Sequence, residues 1–356
     1  MKKSSAVLVL VFLSACGGGS SSTPPPPTVS SIEAFTQSIQ NLTLDDFYHV
    51  SFGGLLSRSP ETLVSSALDD IYPQAGVRLN DWSLGYRADT WTIYQLALDK
   101  LLTYDRSTLS VGEQLNYDVY LWYLQDFLDE QEFDLYSFPA TYSLFGVQRG
   151  TQRFFEELHP VETAQDAMDF VFRLRAFDTK FEQLRAHLLR QRQAGIVEPA
   201  LTMQVAMSQL SAYAQIPSAQ NSIYISFRDK INSIAGLTSA ERDDFIGLAL
   251  DSVTVDVIPA YQNLFNTLQA LLNDAPPDIG VGQYPRGSEY YDYILRHHTT
   301  TDLTAAEIHQ LGLDELARIH TEMRVIFDQL GYPQNETLQE LYTRVETDGG
   351  IVLAAD

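Results

Sequence analysis

The 356-residue sequence predicts a mainly α, multi-helix protein. Three observations carry that reading: helix-start signatures recur along the chain, apolar residues between them fall at helical spacing, and strand-like alternation is sparse. Ser30-Ser31-Ile32-Glu33, Ser110-Val111-Gly112-Glu113, Thr238-Ser239-Ala240-Glu241 and Thr304-Ala305-Ala306-Glu307 all fit the capping box. In that motif a hydroxyl and a carboxylate satisfy reciprocal backbone donors at a helix start.

Residues 1–15 read as a bacterial lipoprotein signal: Lys2 and Lys3 are basic, Ala6 to Leu13 are apolar, and Leu13-Ser14-Ala15-Cys16 completes the cleavage pattern. The apolar run is too short to span a bilayer as a helix, which takes about 20 residues. Cleavage before Cys16, the single cysteine, would leave its thiol and new amine for acylation. The membrane partner is then the lipid on Cys16, and the expected place is the bacterial cell envelope. Gly17 rather than Asp after it resembles the enterobacterial rule for outer-membrane sorting, facing the periplasm. An ordinary secretory signal with an incidental cysteine is the plainer alternative. Residues 16–31 form a Gly/Ser/Pro tether with nothing to bury, and residues 32–356 form the folded helical domain.

A net charge of −23 repels phosphate backbones and anionic headgroups, so nucleic acid is excluded as a partner and membrane contact is left to the lipid. Solubility at a crowded or salty surface explains the acidity as well as a cationic ligand does.

Ser59-Pro60 starts a helix with proline at the first position, where no donor is lost. Tyr136 to Gly150, aromatic with Pro139 and two glycines, reads as a packed loop. From Thr163 to Gln193 the residues Ala164, Ala167, Val171, Leu174, Phe177, Phe181, Leu184 and Leu188 form one stripe of a single long helix, with Arg173 and Lys180 off it. Ser222 to Phe227 alternates like a short strand and equally opens a helix. A last stripe, Ile308, Leu311, Ile319, Met323, Ile326 and Leu330, ends at Gly331 with Pro333 beyond.

The search for chemistry is mostly negative: no H-E-x-x-H, C-x-x-C, G-x-S-x-G or phosphate-binding loop is present. His309 and His320 share a helix face about 16 Å apart, too far to share a metal. His297 and His298 would point about 100° apart on a helix from Glu289, so only one can face a given cleft. The plain reading is last-turn histidines beside exposed carbonyls; a substrate-cleft role and a metal-ligand role are the alternatives. Tyr290 and Tyr291 are likewise core aromatics or a cleft lining.

Pro285-Arg286-Gly287-Ser288-Glu289-Tyr290-Tyr291, Leu295, His298-Thr299-Thr300-Thr301-Asp302-Leu303-Thr304, Glu307-Ile308-His309, Leu311-Gly312-Leu313 and Arg318-Ile319 resemble the bacterial family catalogued as domain of unknown function 885. Ser143-Leu144-Phe145-Gly146-Val147, His159-Pro160-Val161 and the arginine-rich helix leading to Gly195-Ile196-Val197 are similar too, so the resemblance covers nearly all of the chain after the tether. It implies the N-terminal part of a large helical zinc-metallopeptidase-like fold, lipid-anchored, acting on peptides. The active helix of such a protein carries H-E-x-x-x-G-H-H, with zinc as cofactor. That motif lies downstream of the matched segment and is not in this chain. The expectation is therefore a fragment: a scaffold with no catalytic residue, no metal ligand and no cofactor of its own, whose partner is a missing C-terminal portion. Tyr290, Tyr291, His297 and His298 are the candidate substrate-cleft residues. The alternative is a complete, non-catalytic binding or assembly lipoprotein.

Overall fold

Hydroxyl caps start the helices largely where the sequence places them. The computed structural model describes residues 31–73, 76–140, 146–276 and 280–347. The signal, Cys16, the tether, the Ser30 cap, Ser143 to Phe145 and the last nine residues lie outside them. Among the described residues all regular structure is helical. Three short helices, α1 (Ser31–Ser38), α2 (Leu44–Leu56) and α3 (Pro60–Ser65), precede the long α4 (Leu84–Leu101) and α5 (Val111–Glu130). Then come α6 (Val147–Arg153), α7 (Ala164–Arg175), α8 (Phe177–Gln193), α9 (Ala200–Ala214), α10 (Ser222–Ser233), α11 (Ser239–Ser252) and α12 (Ile258–Leu271). The last are α13 (Gly287–Thr299), α14 (Ala305–Gln329) and α15 (Leu338–Thr347). The capping boxes at Ser110, Thr238 and Thr304 are made, and Thr163 with Asp166 makes another.

Several expectations change. The helix expected over Thr163 to Gln193 is two, because the chain breaks at Ala176, whose N–H turns back to Arg173 O. The stripe itself survives the break: Ala167, Val171, Leu174, Phe177, Phe181, Leu184 and Leu188 are buried on both sides of it. Ser222 to Phe227 opens α10, with Asn221 capping. The aromatic loop from Tyr136 ends at Gly146, where α6 begins. α11 passes through a wide π-type turn, Val253–Val257, directly into α12. Pro259, with no N–H to give, sits just beyond that turn, and its ring is a sufficient cause of the widening.

Two large apolar cores and one small aromatic one result among the described residues. α7 to α12 close around Phe170, Phe177, Phe181, Phe227, Tyr261 and Leu264, all at most 2% exposed. Each such side chain contributes roughly 2–3 kcal/mol. α1, α2, α4 and α5 close around Phe47, Ile93, Leu101 and Leu124. The seam toward α7 and α8 is polar. Arg173, Lys180, His187 and Gln191 recur on one face of α7–α8, and all are buried; Arg173 and Lys180, which the sequence places off the apolar stripe, are thus enclosed rather than at the surface. Lys180 Nζ donates to Glu61 Oε1 and Thr151 Oγ1, both at 2.6 Å. Arg173 donates to Arg78 O and to His159 Nε2, and Gln191 to Leu135 O and Ser137 O. Gln183 accepts from the Trp82 N–H at 2.9 Å.

Candidate functional site

Between the first half of α4, the end of α5 and the end of α8 lies an open cleft of about 830 Å³. α4 contributes Arg87 and Trp91, the turn after α5 contributes Asp134 and Tyr136, and α8 contributes Arg190. Asp134 sits between the arginines. Its Oδ1 accepts from Arg87 Nη2, while its Oδ2 is 3.9 Å from Arg190 Nη2, beyond hydrogen-bond reach. One carboxylate thus serves two guanidinium groups, and only one of them closely.

Burial lowers the Arg87 pKa, and the charge of Arg190 lowers it further while Glu130 opposes. Behind the pair, His187 is 1% exposed, packs edge-on against Trp82, and finds no hydrogen-bond partner among the described residues for either ring nitrogen. Burial brings its pKa down to about 4, with Arg87 and Arg190 adding to the effect, so the ring is neutral at pH 7. Arg87 also lies over the Trp82 ring, and Trp91 packs on Phe127 with ring centroids 4.7 Å apart. The cleft wall is therefore aromatic beside a compact cationic pair.

The four residues nominated from sequence lie on α13, next to this cleft rather than in its lining. Tyr290 packs against Phe133, Tyr136 and Tyr293 in a small aromatic core, so it touches the cleft only through Tyr136. Tyr291 is 44% exposed. His297 turns toward α5 and shares a 2.7 Å hydrogen bond with the buried Asp126, and His298 packs edge-on against His297 at the surface. The two histidines diverge, as their adjacency requires. Arg296 pairs with Asp129 and Arg286 with Glu132, so three acidic groups spaced three residues apart at the end of α5 hold α13 in place. The start of α13 is tight: Arg286 is left-handed at φ 54°, and any side-chain carbon on Gly287 would collide with Val281 O.

His159, within the His159-Pro160-Val161 match, is also structural. Its Nδ1 hydrogen-bonds Pro160 O, and its Nε2 accepts from Arg173. Burial, then Arg173, hold its pKa down to about 3. Among the described residues no group of three or more His, Cys, Asp or Glu is placed to hold a metal ion. The described residues thus offer no ligand set for zinc.

Sequence reasoning missed Arg87, Trp91, Asp134 and Arg190. They come from segments far apart in sequence, and no local spacing links them. The one available signal was the arginine-rich helix before Gly195, which contains Arg190 and leads to Ile196 in the cleft wall.

A helical protein with an arginine-paired cleft is the class these features define. Residues 68–356 match the family described as "Bacterial protein of unknown function (DUF885)", and the chain belongs to that family. A solved structure of a "putative lipoprotein" from Colwellia psychrerythraea has the same fold, with a TM-score of 0.74 at 21% identity. The similarity covers 88% of this chain and 53% of that one, so the present chain spans about half the length of that relative. A search of curated proteins gave no match.

Proposed function

We propose that this chain is the N-terminal scaffold of a lipid-anchored zinc peptidase of the bacterial envelope. In this reading Cys16 carries the lipid at the outer membrane, the domain faces the periplasm, and α13 with Tyr290, Tyr291, His297 and His298 borders the peptide path. The zinc-binding helix is supplied by a C-terminal portion outside these residues.

The observation that carries the reading is α14. Over 25 residues it buries only Phe327, while Leu311, Ile319, Ile326 and Leu330 stand open to solvent at 41–66% exposure. Of the stripe that the sequence pattern assigns to a core, Ile308 and Met323 are half-buried, Met323 against Tyr342 of α15, and the other four positions stand uncovered among the described residues. An apolar face of this kind calls for a covering element. The Colwellia chain, of which 53% is covered, has further residues of its own, which is consistent with such an element.

Reading the gene past the codon for Asp356, together with the intact mass of the native lipoprotein, tests the proposal. Continuation into an H-E-x-x-x-G-H-H helix is expected. A stop codon with a native mass near 40 kDa would refute it and leave a non-catalytic binding lipoprotein. This chain alone is expected to lose zinc on dialysis; stoichiometric retention would also count against the reading.

A further inference from the structure

We propose that the cleft between α4, α5 and α8 is a binding site for a ligand bearing a single carboxylate beside an apolar or aromatic group, such as the C-terminal residue of a peptide. The site lies wholly within the described residues, so it stands whether or not the peptidase reading holds.

Arg190 is the starting point. Its side chain is only 30% exposed, yet it makes no hydrogen bond among the described residues, and its one ion pair, to Asp134, is loose at 3.9 Å. A guanidinium removed this far from water ordinarily has its donors taken up by a carboxylate, a carbonyl or a phosphate. Arg87 aggravates the deficit. It is close enough to Arg190 for the two charges to repel, it is 21% exposed, and its Nε is buried with no partner among the described residues. The facing groups do not cure this. Asp134 is already committed to Arg87, Glu132 at the rim is held by Arg286 at 2.8 Å, and neutral His187 brings no negative charge. Glu130 also acts on Arg87, with burial raising its pKa and the Arg87 charge lowering it, so it answers Arg87 rather than Arg190. Arg190 is short of one close anionic partner among the described residues.

Two features select what that anion is. The surrounding carboxylates Asp134 and Glu132, on a protein of net charge −23, oppose a dianion such as phosphate more than a single carboxylate. Trp91, Leu84, Leu128 and Ile196 line the same cleft and offer apolar contact to the group next to the charge. The cleft volume, about 830 Å³, holds one or two residues of a peptide with room to spare.

The test is calorimetric titration of this chain with N-acetyl-L-phenylalanine, N-acetyl-L-phenylalaninamide and inorganic phosphate. The carboxylate form is expected to bind at least about tenfold more tightly than the amide, which has the same shape and no charge. Arg190→Gln should lose that preference. It should fold normally, because the guanidinium holds no hydrogen bond in the fold, and a circular-dichroism melt checks this. Asp134→Asn should move affinity the other way, strengthening carboxylate binding several-fold by removing the internal competitor. Equal binding of acid and amide, an unchanged Arg190→Gln, or phosphate binding as tightly as the carboxylate would each overturn the proposal.

Discussion

Replacing Glu198 by glutamine should remove a pH-dependent burden on the fold. Glu198 precedes Pro199 and α9, is 5% exposed, and neither carboxylate oxygen has a hydrogen-bond partner within reach among the described residues. Thr202, whose hydroxyl donates to Pro199 O, lies near enough to oppose the effect of burial only in part. Burial pushes the carboxyl pKa up to about 8. Its unfolded value is about 4.3, so the folded pKa is the raised one. The stabilising contribution of the neutral acid is complete below the unfolded pKa and is lost as pH rises through the folded one. At 1.36 kcal/mol per pH unit the loss between the unfolded pKa and pH 7 is about 3.7 kcal/mol, an upper estimate because the nearby helix start favours the anion. Urea unfolding of wild type and Glu198→Gln between about pH 5 and pH 9 reads it directly. The stability difference should grow in the variant's favour up to about pH 8 and then level off. A difference that stays constant with pH would refute the reasoning, because a neutral amide and a neutral acid differ in no titration.

Three further outcomes follow from single contacts. Lys180→Met leaves Glu61 without its cation in the seam and should cost about 3–5 kcal/mol in urea unfolding, while Lys180→Met with Glu61→Gln recovers much of it. Gly287→Ala drives a methyl into Val281 O and should lower stability by about 1–3 kcal/mol, read as a fall in melting temperature. His297→Ala strips Asp126 of its one side-chain partner and should cost about 1–3 kcal/mol; faster amide exchange in α13 than in α8 would place the loss.

What the sequence disclosed was local. Capping boxes are short-range chemistry, so those at Ser110, Thr238 and Thr304 were legible, and Thr163 escaped only because Asp166 stands where glutamate is the usual signal. The break at Ala176 was hidden because the apolar stripe keeps its phase across it. Arg173 and Lys180 look like surface cations on any helical projection. Their burial depends on His159 and Glu61, and nothing in the helix itself announces them. The candidate site follows the same rule: Tyr290, Tyr291, His297 and His298 were found because they are adjacent, whereas Arg87, Asp134 and Arg190 converge only through tertiary packing. The apolar stripe of α14 was legible as a pattern, but the pattern alone did not say that its face would stand open.

The polar seam along α7 and α8 also works as a caliper. One jaw of the cleft is α4, the other the end of α8, and the bonds from Lys180 to Glu61, from Trp82 to Gln183 and from Gln191 to the chain before α6 fix the gap between them. Grease between two cores would let the jaws creep; directional bonds do not. The size of guest the cleft admits is thus set by residues the guest never meets, and a substitution in the seam would retune it from a distance.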